Sequence, residues 1–279
     1  MKCREFIPPI LVRSLNKLIY SRTKPSSPNF FLTYTEAQKA CYSAGYEDFD
    51  IVDVVFEKTK LVRDQMLSRK FPLSDSAAQS LLAVLYSLQQ SERHKQIKVI
   101  DFGGACGAHY FQVRPFLLPD IRLDWMVVET PAMVKKAKSF ETGELRFVAS
   151  TLEAKEKFQR FDLLHSSGAL QYVPDPQTTI QEFIACESTY LFLNRLALSA
   201  SETFITIQES FLSANGPGAL PYGFNDRVCR YPVTYFPKSR LVELLSQNYQ
   251  AIIEIQDTKA VINEKELLMN SCIFAERLR

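Results

Sequence analysis

A glycine-rich turn between a strand and a helix is the feature that most constrains the fold of this chain. The segment KVIDFGGACGAHYF, residues 98–111, joins an apolar run ending at Asp101 to helix-forming residues, with Gly103, Gly104 and Gly107 between them. A turn this bare lets the backbone approach a ligand closely, and the first turn of the following helix offers unpaired N–H groups to it. The segment therefore predicts a ligand site at the end of a strand.

Alternating strands and helices follow this turn. Five apolar segments are predicted as strands: 97–102, 123–129, 145–149, 161–166 and 189–197. Helices that begin near residues 108, 131 and 176 separate most of these strands. Such alternation predicts a parallel sheet covered by helices on both faces, with ligands bound at the carboxyl ends of its strands. After an extra strand at 203–209, a helix at 238–247 and strands at 249–256 and 267–276 predict a closing antiparallel hairpin.

The composition argues against several other classes of protein. The chain has 279 residues, of which 46% are hydrophobic and 23% charged, as expected for one large globular domain or a domain with an appendage. Six scattered cysteines, without a C-x-x-C pair or metal-ligand spacing, predict reduced thiols in a cytosolic compartment. The net charge of +2 gives no support for nucleic-acid binding.

Positive charge is concentrated near the N-terminus. Residues 1–24 contain six lysines and arginines against one acid, and apolar residues between positions 10 and 19 could line one face of a short helix. Such a helix is compatible with peripheral contact at the inner membrane surface and equally with packing on its own domain. No apolar run approaches the ~20 residues of a transmembrane helix, and Pro8, Pro9 and Arg13 interrupt a secretory signal. We therefore expect a cytoplasmic protein.

The chain divides into three predicted regions. Residues 1–29 form a basic arm and linker, residues 30–95 a helical extension or cap, and residues 96–279 the ligand-binding domain. In the extension, capping-box spacing at Thr35 predicts the start of the first of three helices. An insert at 208–237 mixes glycine, aromatic and arginine residues and is expected to determine the substrate. The sequence gives no prediction of the oligomeric state.

Three ordered motifs resemble those of class I S-adenosylmethionine-dependent methyltransferases. Residues 101–107, DFGGACG, are similar to the D-x-G-x-G-x-G turn of that class, with Ala105 at the middle glycine; they do not fit the dinucleotide pattern G-x-G-x-x-G. Residues 125–129, WMVVE, form a strand that ends in an acid 22 residues after Gly107. Residues 161–176 are similar to the fourth strand of these enzymes and the segment that follows it.

This resemblance implies a fold class and a cofactor. The fold class is α/β: a Rossmann-like, seven-stranded, mostly parallel sheet with a C-terminal antiparallel hairpin and an N-terminal helical extension. The cofactor is S-adenosylmethionine, with Glu129 accepting hydrogen bonds from both ribose hydroxyls. The acid expected after the third strand is missing, because Ser150-Thr151-Leu152 stand there. The implied cofactor-binding residues are Asp101, Gly103, Gly104, Gly107, His109, Glu129 and Ser166.

Nearly the whole chain also resembles a narrower family of methyltransferases of undetermined substrate, often found among bacterial surface-polysaccharide genes. Besides the motifs above, the shared features include Pro8-Pro9-Ile10-Leu11, Gly45-Tyr46, Leu193-Asn194-Arg195 and Tyr231-Pro232. This second resemblance implies a small-molecule or glycan acceptor and a role in polysaccharide biosynthesis.

The expected reaction is O-methylation of such an acceptor. Methyl transfer to a hydroxyl requires an aligned nucleophile and a base that removes its proton. The candidate bases are His165, at the carboxyl end of the fourth strand, and His109, at the start of the helix after the glycine-rich turn. His165 is the predicted catalytic base, although a lone histidine is often a hydrogen-bonded structural residue, and His109 is expected to hold the cofactor's carboxylate or to cap its helix. Two alternatives stay open: a non-catalytic member of the fold that binds or assembles, and a nicotinamide-dependent oxidoreductase. The predicted substrate-binding residues are Tyr172, Arg227, Arg230 and Tyr231.

Overall fold

The structure, a computed structural model, describes residues 30–41, 48–67, 73–91, 95–255 and 258–278. The predicted basic arm and its membrane contact lie outside these residues. Within them the helices are α1 (Tyr34–Ala40), α2 (Phe49–Leu67), α3 (Asp75–Gln90), α4 (Ala108–Val113), α5 (Pro131–Ala137), α6 (Thr151–Lys157), α7 (Pro176–Ala185) and α8 (Lys238–Ser246). The strands are β1 (Gln96–Phe102), β2 (Arg122–Val128), β3 (Leu145–Val148), β4 (Leu163–Ser167), β5 (Tyr190–Ser199), β6 (Phe204–Phe211), β7 (Val228–Pro237), β8 (Tyr249–Ile255), β9 (Thr258–Ile262) and β10 (Lys265–Arg277).

Seven strands form the main sheet in the order β3-β2-β1-β4-β5-β10-β8. The first five strands in this order pair in parallel, whereas β10 is antiparallel to both of its neighbours. This topology confirms the predicted α/β, Rossmann-like sheet with its antiparallel C-terminal strands. Because β1, β2, β4 and β5 are parallel, their carboxyl ends meet at one edge of the sheet.

Apolar side chains from alternate positions of the strands form a core on each face of the sheet. Val99 belongs to the core beneath α2, α3, α4 and α5, whereas its neighbour Ile100 belongs to the core beneath α6, α7 and α8. Both residues have no exposed surface. Burial on both faces explains why β1 and β2 are nearly continuous apolar runs rather than alternating ones.

Helices of the extension pack against this sheet. Helix α3 begins after Ser74, whose Oγ accepts a hydrogen bond from the N–H of Ala77, and it contacts β1, β4 and β5. Helix α1 begins after Thr33, which forms a complete capping box with Glu36. The expected cap at Thr35 is therefore wrong by two residues, because a serine- or threonine-rich start offers more than one capping register. No helix in the described ranges is long and apolar enough to cross a membrane.

The insert at 208–237 is more regular than predicted. Its two ends belong to β6 and β7, which form an antiparallel hairpin pairing Phe204 with Tyr235 and Phe211 with Val228. Only the part between these strands is irregular. No strand was predicted at β7, where cross-strand contacts with β6 stabilise a segment that contains Pro232.

Candidate active site at the carboxyl edge of the sheet

The backbone conformation of the glycine-rich turn between β1 and α4 requires glycine at several positions. Gly103, Ala105 and Gly107 have positive φ angles of 69°, 51° and 80°. A Cβ atom on Gly104 would lie 2.2 Å from Oδ2 of Asp101. Every second residue of the turn has left-handed backbone dihedrals, which accounts for the spacing of Gly103 and Gly107. Ala105 adopts the same conformation at a conformational free-energy cost of ~1–2 kcal/mol.

Glu129 lies against this turn. Its Oε1 accepts a hydrogen bond of 3.1 Å from the N–H of Ala105, and its Oε2 accepts one of 2.7 Å from the N–H of Thr130. Burial raises the pKa of Glu129 to about 6. The structure thus brings together the two features that the sequence motifs predicted to share a site.

Asp101 lies beneath the turn in a buried hydrogen-bond network. Its Oδ2 accepts a 3.0 Å hydrogen bond from Nε1–H of Trp125, and its Oδ1 lies 2.7 Å from Nδ1 of His165. Burial alone would raise its pKa, but the charge and hydrogen bond of His165, together with His109 and Trp125, hold the pKa of Asp101 below its usual range. All of its surface is buried, so it supports the turn from below rather than facing a ligand.

His165 has a partner for each ring nitrogen. Nδ1 contacts Asp101, and Nε2 lies 2.8 Å from Oγ of Ser80, which also donates to the carbonyl of Ser76. Neither Ser80 nor His165 has exposed surface. Direct proton transfer from an acceptor to His165 stays a prediction, and it requires Ser80 to move away. Ser80 was not among the predicted site residues, although a serine on the apolar face of α3 was a usable signal.

His109 is the second residue of α4 and lies beside His165, with 4.9 Å between the ring centroids. Burial and the neighbouring His165 lower its pKa to about 3, so the ring is neutral at pH 7. Among the described residues, the ligand atoms of Asp101, His109 and His165 lie within 4.8 Å of one another. A metal ion there would have to replace a hydrogen-bond partner of His165, so the network explains this cluster without one.

Buried polar atoms without partners line the end of β4. Within the described ranges, neither Oγ of Ser166 nor Oγ of Ser167 has a hydrogen-bond partner. Ser166 is 1% exposed and pairs in register with Phe102, the last residue of β1. This residue therefore lies beside the glycine-rich turn, as its predicted cofactor role requires.

Tyr172, in the turn that follows β4, lies against Tyr231 of β7. Their rings make an edge contact, with centroids 5.3 Å apart. The hydroxyl of Tyr172 donates to Oε1 of Gln208, and the hydroxyl of Tyr231 lies 2.6 Å from Oγ of Ser210. The carbonyl of Tyr172 also accepts a hydrogen bond from the hydroxyl of Tyr34 in α1. The extension, the β6–β7 hairpin and the segment after β4 therefore meet at this tyrosine pair.

Both arginines that were predicted to bind substrate have carboxylate partners. Arg227 Nη2 lies 2.9 Å from Asp48 Oδ1 and 2.9 Å from Asp50 Oδ2, which ties the insert to the start of α2. Arg230 forms an exposed ion pair with Glu209 across the hairpin, with a distance of 2.7 Å. Binding of an anion by either arginine stays a prediction and would compete with these carboxylates.

The end of β3 carries an acid that the sequence analysis missed. Oε2 of Glu153 accepts a 3.1 Å hydrogen bond from the N–H of Ala149, while Ser150 caps α6. The spacing of a serine and a glutamate three residues later was a usable signal for this cap. Glu153 also pairs with Lys157, and the exposed Leu152 lies beside it. The end of β3 therefore presents an apolar side chain and a capped helix rather than a free acid.

The fold and the site define an α/β protein in which a glycine-rich turn and a facing carboxylate lie at the carboxyl edge of a mostly parallel sheet. No family model and no curated protein matches the chain. Among solved structures, it is similar to an S-adenosylmethionine-dependent methyltransferase from Clostridium acetobutylicum, at 10% identity and a TM-score of 0.47 over 79% of this chain and 98% of that one.

Two further solved structures give the same degree of likeness. The amino pentose methyltransferase CalS10 from Micromonospora echinaspora is 12% identical with a TM-score of 0.47, over 75% of this chain and 93% of that one. The N-methyltransferase NodS from Bradyrhizobium japonicum is 14% identical with a TM-score of 0.42, over 80% of this chain and all of that one. At these identities and TM-scores, the likenesses do not identify the family of this chain.

Proposed function

We propose that this protein is an S-adenosylmethionine-dependent methyltransferase. The observation that carries the proposal is the contact of Glu129 with the bare turn at Ala105. Each oxygen of the carboxylate accepts one hydrogen bond from the chain, whereas a carboxylate can accept about four. The remaining capacity matches two vicinal ribose hydroxyls, so the residues present fit an adenosyl ligand.

The chain offers a group for each part of that cofactor. Glu129 would hold the ribose. The first N–H groups of a helix have no partner within it, so those of α4, together with neutral His109, would hold the carboxylate of the amino-acid part. The exposed side chain of Leu152 at the end of β3 would pack against adenine, in place of the missing acid. When bound, the cofactor supplies a methyl group on a positively charged sulfur. The chain's own task is then to align the acceptor and to exclude water.

We propose a glycan-type or other small hydroxyl compound as the acceptor, methylated at oxygen. Support comes from Tyr172, which is partly exposed, because an aromatic face packs on the apolar face of a sugar. Tyr231 is only 4% exposed and supports Tyr172 from below, and the amide of Gln208 forms hydrogen bonds with the hydroxyls of both tyrosines. His165 remains the candidate base, reached when Ser80 leaves its Nε2. A role in surface-polysaccharide synthesis, in the cytoplasm and with residues 1–24 at the inner membrane surface, is part of the same proposal.

Transfer of a labelled methyl group tests the proposed activity. Purified protein is incubated with methyl-labelled S-adenosylmethionine and a panel of sugars, sugar phosphates, nucleotide sugars and small amines. We expect base-stable label in a sugar, and less of it with Glu129→Ala. Label only in amines contradicts O-methylation. Label in no acceptor, with the cofactor bound, favours the non-catalytic alternative, which the complete burial of His165 also fits.

A further inference from the structure

Arg195 lies in an irregular part of β5 at the carboxyl edge of the sheet. Its neighbour Asn194 pairs with Ser167, the last residue of β4. The register with β10 passes from Leu193 to Leu196 on β5 across only two residues of β10, so β5 contains one extra residue here. Arg195 itself has a positive φ of 52°. Bulges and strained residues of this kind are common beside functional sites, where they redirect a side chain.

The guanidinium of Arg195 lies over Gly168. A Cβ atom on Gly168 would be 3.2 Å from Cζ and 3.3 Å from Nη2 of Arg195, so the glycine leaves room for the planar group. Arg195 is exposed, and no carboxylate in the part of the chain that the structure describes pairs with its guanidinium. This differs from Arg227 and Arg230, whose charges are already paired. Arg195 therefore presents an uncompensated positive charge at the edge where ligands bind.

Two buried donors lie beside this charge. Oδ1 of Asn194 accepts a 2.7 Å hydrogen bond from the N–H of Arg195, which leaves its Nδ2 as a donor. Asn194 is 2% exposed, and its Nδ2 has no partner among the described residues, as is also true of Oγ of Ser167. Register partners on parallel strands point to the same face, so these two groups are neighbours. An unpaired buried donor destabilises the folded protein, and a ligand that accepts its hydrogen bond removes that cost.

We propose that Arg195, Asn194 and Ser167 bind an oxyanion, a phosphate or carboxylate group, on the acceptor. Three donors with no acid among them match such a group, and a guanidinium can bind it with two parallel hydrogen bonds. Assignment to the acceptor rests on the proposed function.

The backbone of Arg195 lies on the acceptor side of β4, whereas its charge also reaches His109, where it adds to burial in lowering the pKa of that histidine. Strand β5 lies two strands from β1, on the side away from β2 and Glu129, at a spacing of ~4.8 Å per strand. The carbonyl of Arg195 accepts a hydrogen bond from Nε2 of Gln171, next to Tyr172. The oxyanion site therefore adjoins Tyr172, to which the sugar was assigned.

Calorimetric titration with inorganic phosphate and with acetate, at constant ionic strength, tests the site. Each anion is titrated into the full chain with and without S-adenosylhomocysteine. We expect at least one of the two anions to bind, and Arg195→Gln to weaken that binding at least tenfold. Arg195→Lys keeps the positive charge but loses the planar group that donates two parallel hydrogen bonds, so it should weaken anion binding less than Arg195→Gln does. Arg240→Gln is the matched control, because Arg240 is an exposed arginine on α8 that pairs with Glu243. Comparison of the two anions identifies whether the group is a phosphate or a carboxylate.

The outcomes separate this inference from the proposed function. Absence of binding of both anions to the unmodified protein, or equal binding by Arg195→Gln and Arg240→Gln, overturns the oxyanion site. Binding that depends on Arg195 but is not accompanied by binding of S-adenosylhomocysteine supports the site and contradicts the proposed cofactor. If Arg195→Gln does not fold, Asn194→Asp provides the second test, because a carboxylate next to the guanidinium should repel the anion and weaken its binding at least tenfold.

Discussion

At the scale of single residues, Ala105 is the residue of the glycine-rich turn whose conformation is strained. Its φ of 51° costs a non-glycine residue ~1–2 kcal/mol, whereas glycine pays ~0.5–1 kcal/mol in chain entropy. We expect Ala105→Gly to raise the free energy of unfolding in urea by about 0.5–1 kcal/mol. Gly103→Ala is the opposing control, because its Cβ would lie 2.2 Å from Cβ of Ala169. A less stable Ala105→Gly protein contradicts this account of the turn.

Two serines of α3 allow the contact with His165 to be isolated. Ser80 and Ser87 are both fully buried, and each Oγ donates a 2.8 Å hydrogen bond to the carbonyl four residues earlier. Only Ser80 also contacts His165. We expect Ser80→Ala to lower the free energy of unfolding by ~1–3 kcal/mol, since it leaves a buried nitrogen unpaired, and Ser87→Ala to lower it by less than ~1 kcal/mol. Equal losses of stability in Ser80→Ala and Ser87→Ala would show that the contact between Ser80 and His165 does not stabilise the fold.

Glu129 should give stability a measurable pH dependence. Its pKa is raised from 4.5 to about 6, so between these values the folded protein binds more protons than the unfolded chain. Its contribution to the free energy of unfolding therefore rises as the pH falls from 7 to 4.5, by up to about 2 kcal/mol. The measurement is urea unfolding of the unmodified protein minus that of Glu129→Gln at each pH. A difference that is constant with pH contradicts the raised pKa.

At the scale of elements, the buried Lys58 of α2 holds the irregular part of the insert. Its Nζ donates a 2.7 Å hydrogen bond to the carbonyl of Ser213 and a 3.4 Å one to that of Gly216, and the residue has no exposed surface. Removing the ammonium leaves both carbonyls without this partner.

We expect Lys58→Met to speed amide hydrogen exchange in residues 212–216 at least tenfold while the sheet stays protected. The expected loss in the free energy of unfolding is about 2 kcal/mol. Lys60→Met on the same helix is the control, because Lys60 is exposed and forms an ion pair with Glu57 on the helix surface. Unchanged exchange in the Lys58→Met insert would mean that this contact does not hold it.

The elements also differ in how well the sequence predicts them. Strands β1 and β2 are continuous apolar runs with defined ends. Their positions, and the proximity of Glu129 to the glycine-rich turn, could therefore be predicted from the local hydrophobic pattern. Strand β7 could not, because it depends on pairing with β6 and contains Pro232. Likewise, no local signal predicts that Arg227 pairs with Asp48 and Asp50, since these residues are distant in the chain.

At the scale of the whole molecule, β2, β1, β4 and β5 are parallel neighbours. The candidate ligand-binding residues therefore lie side by side along one edge of the sheet. Glu129 follows β2, the glycine-rich turn follows β1, Tyr172 follows β4, and Arg195 lies in β5. The topology therefore predicts separate places for a cofactor and an acceptor. What the sequence alone did not give is the buried network between them, because the partners Ser80, Asp101 and His165 come from three separate elements.

Calorimetric titration with S-adenosylhomocysteine tests the central claim, that the turn and Glu129 form a site for an adenosyl ligand. We expect one ligand per chain and an affinity at least tenfold lower for Glu129→Ala, since hydrogen bonds to a charged group contribute ~1.5–3 kcal/mol and 1.4 kcal/mol is a tenfold change. NAD should not bind, because the glycine spacing does not suit a pyrophosphate. Absence of binding by S-adenosylhomocysteine, or binding that Glu129→Ala leaves unchanged, contradicts the claim.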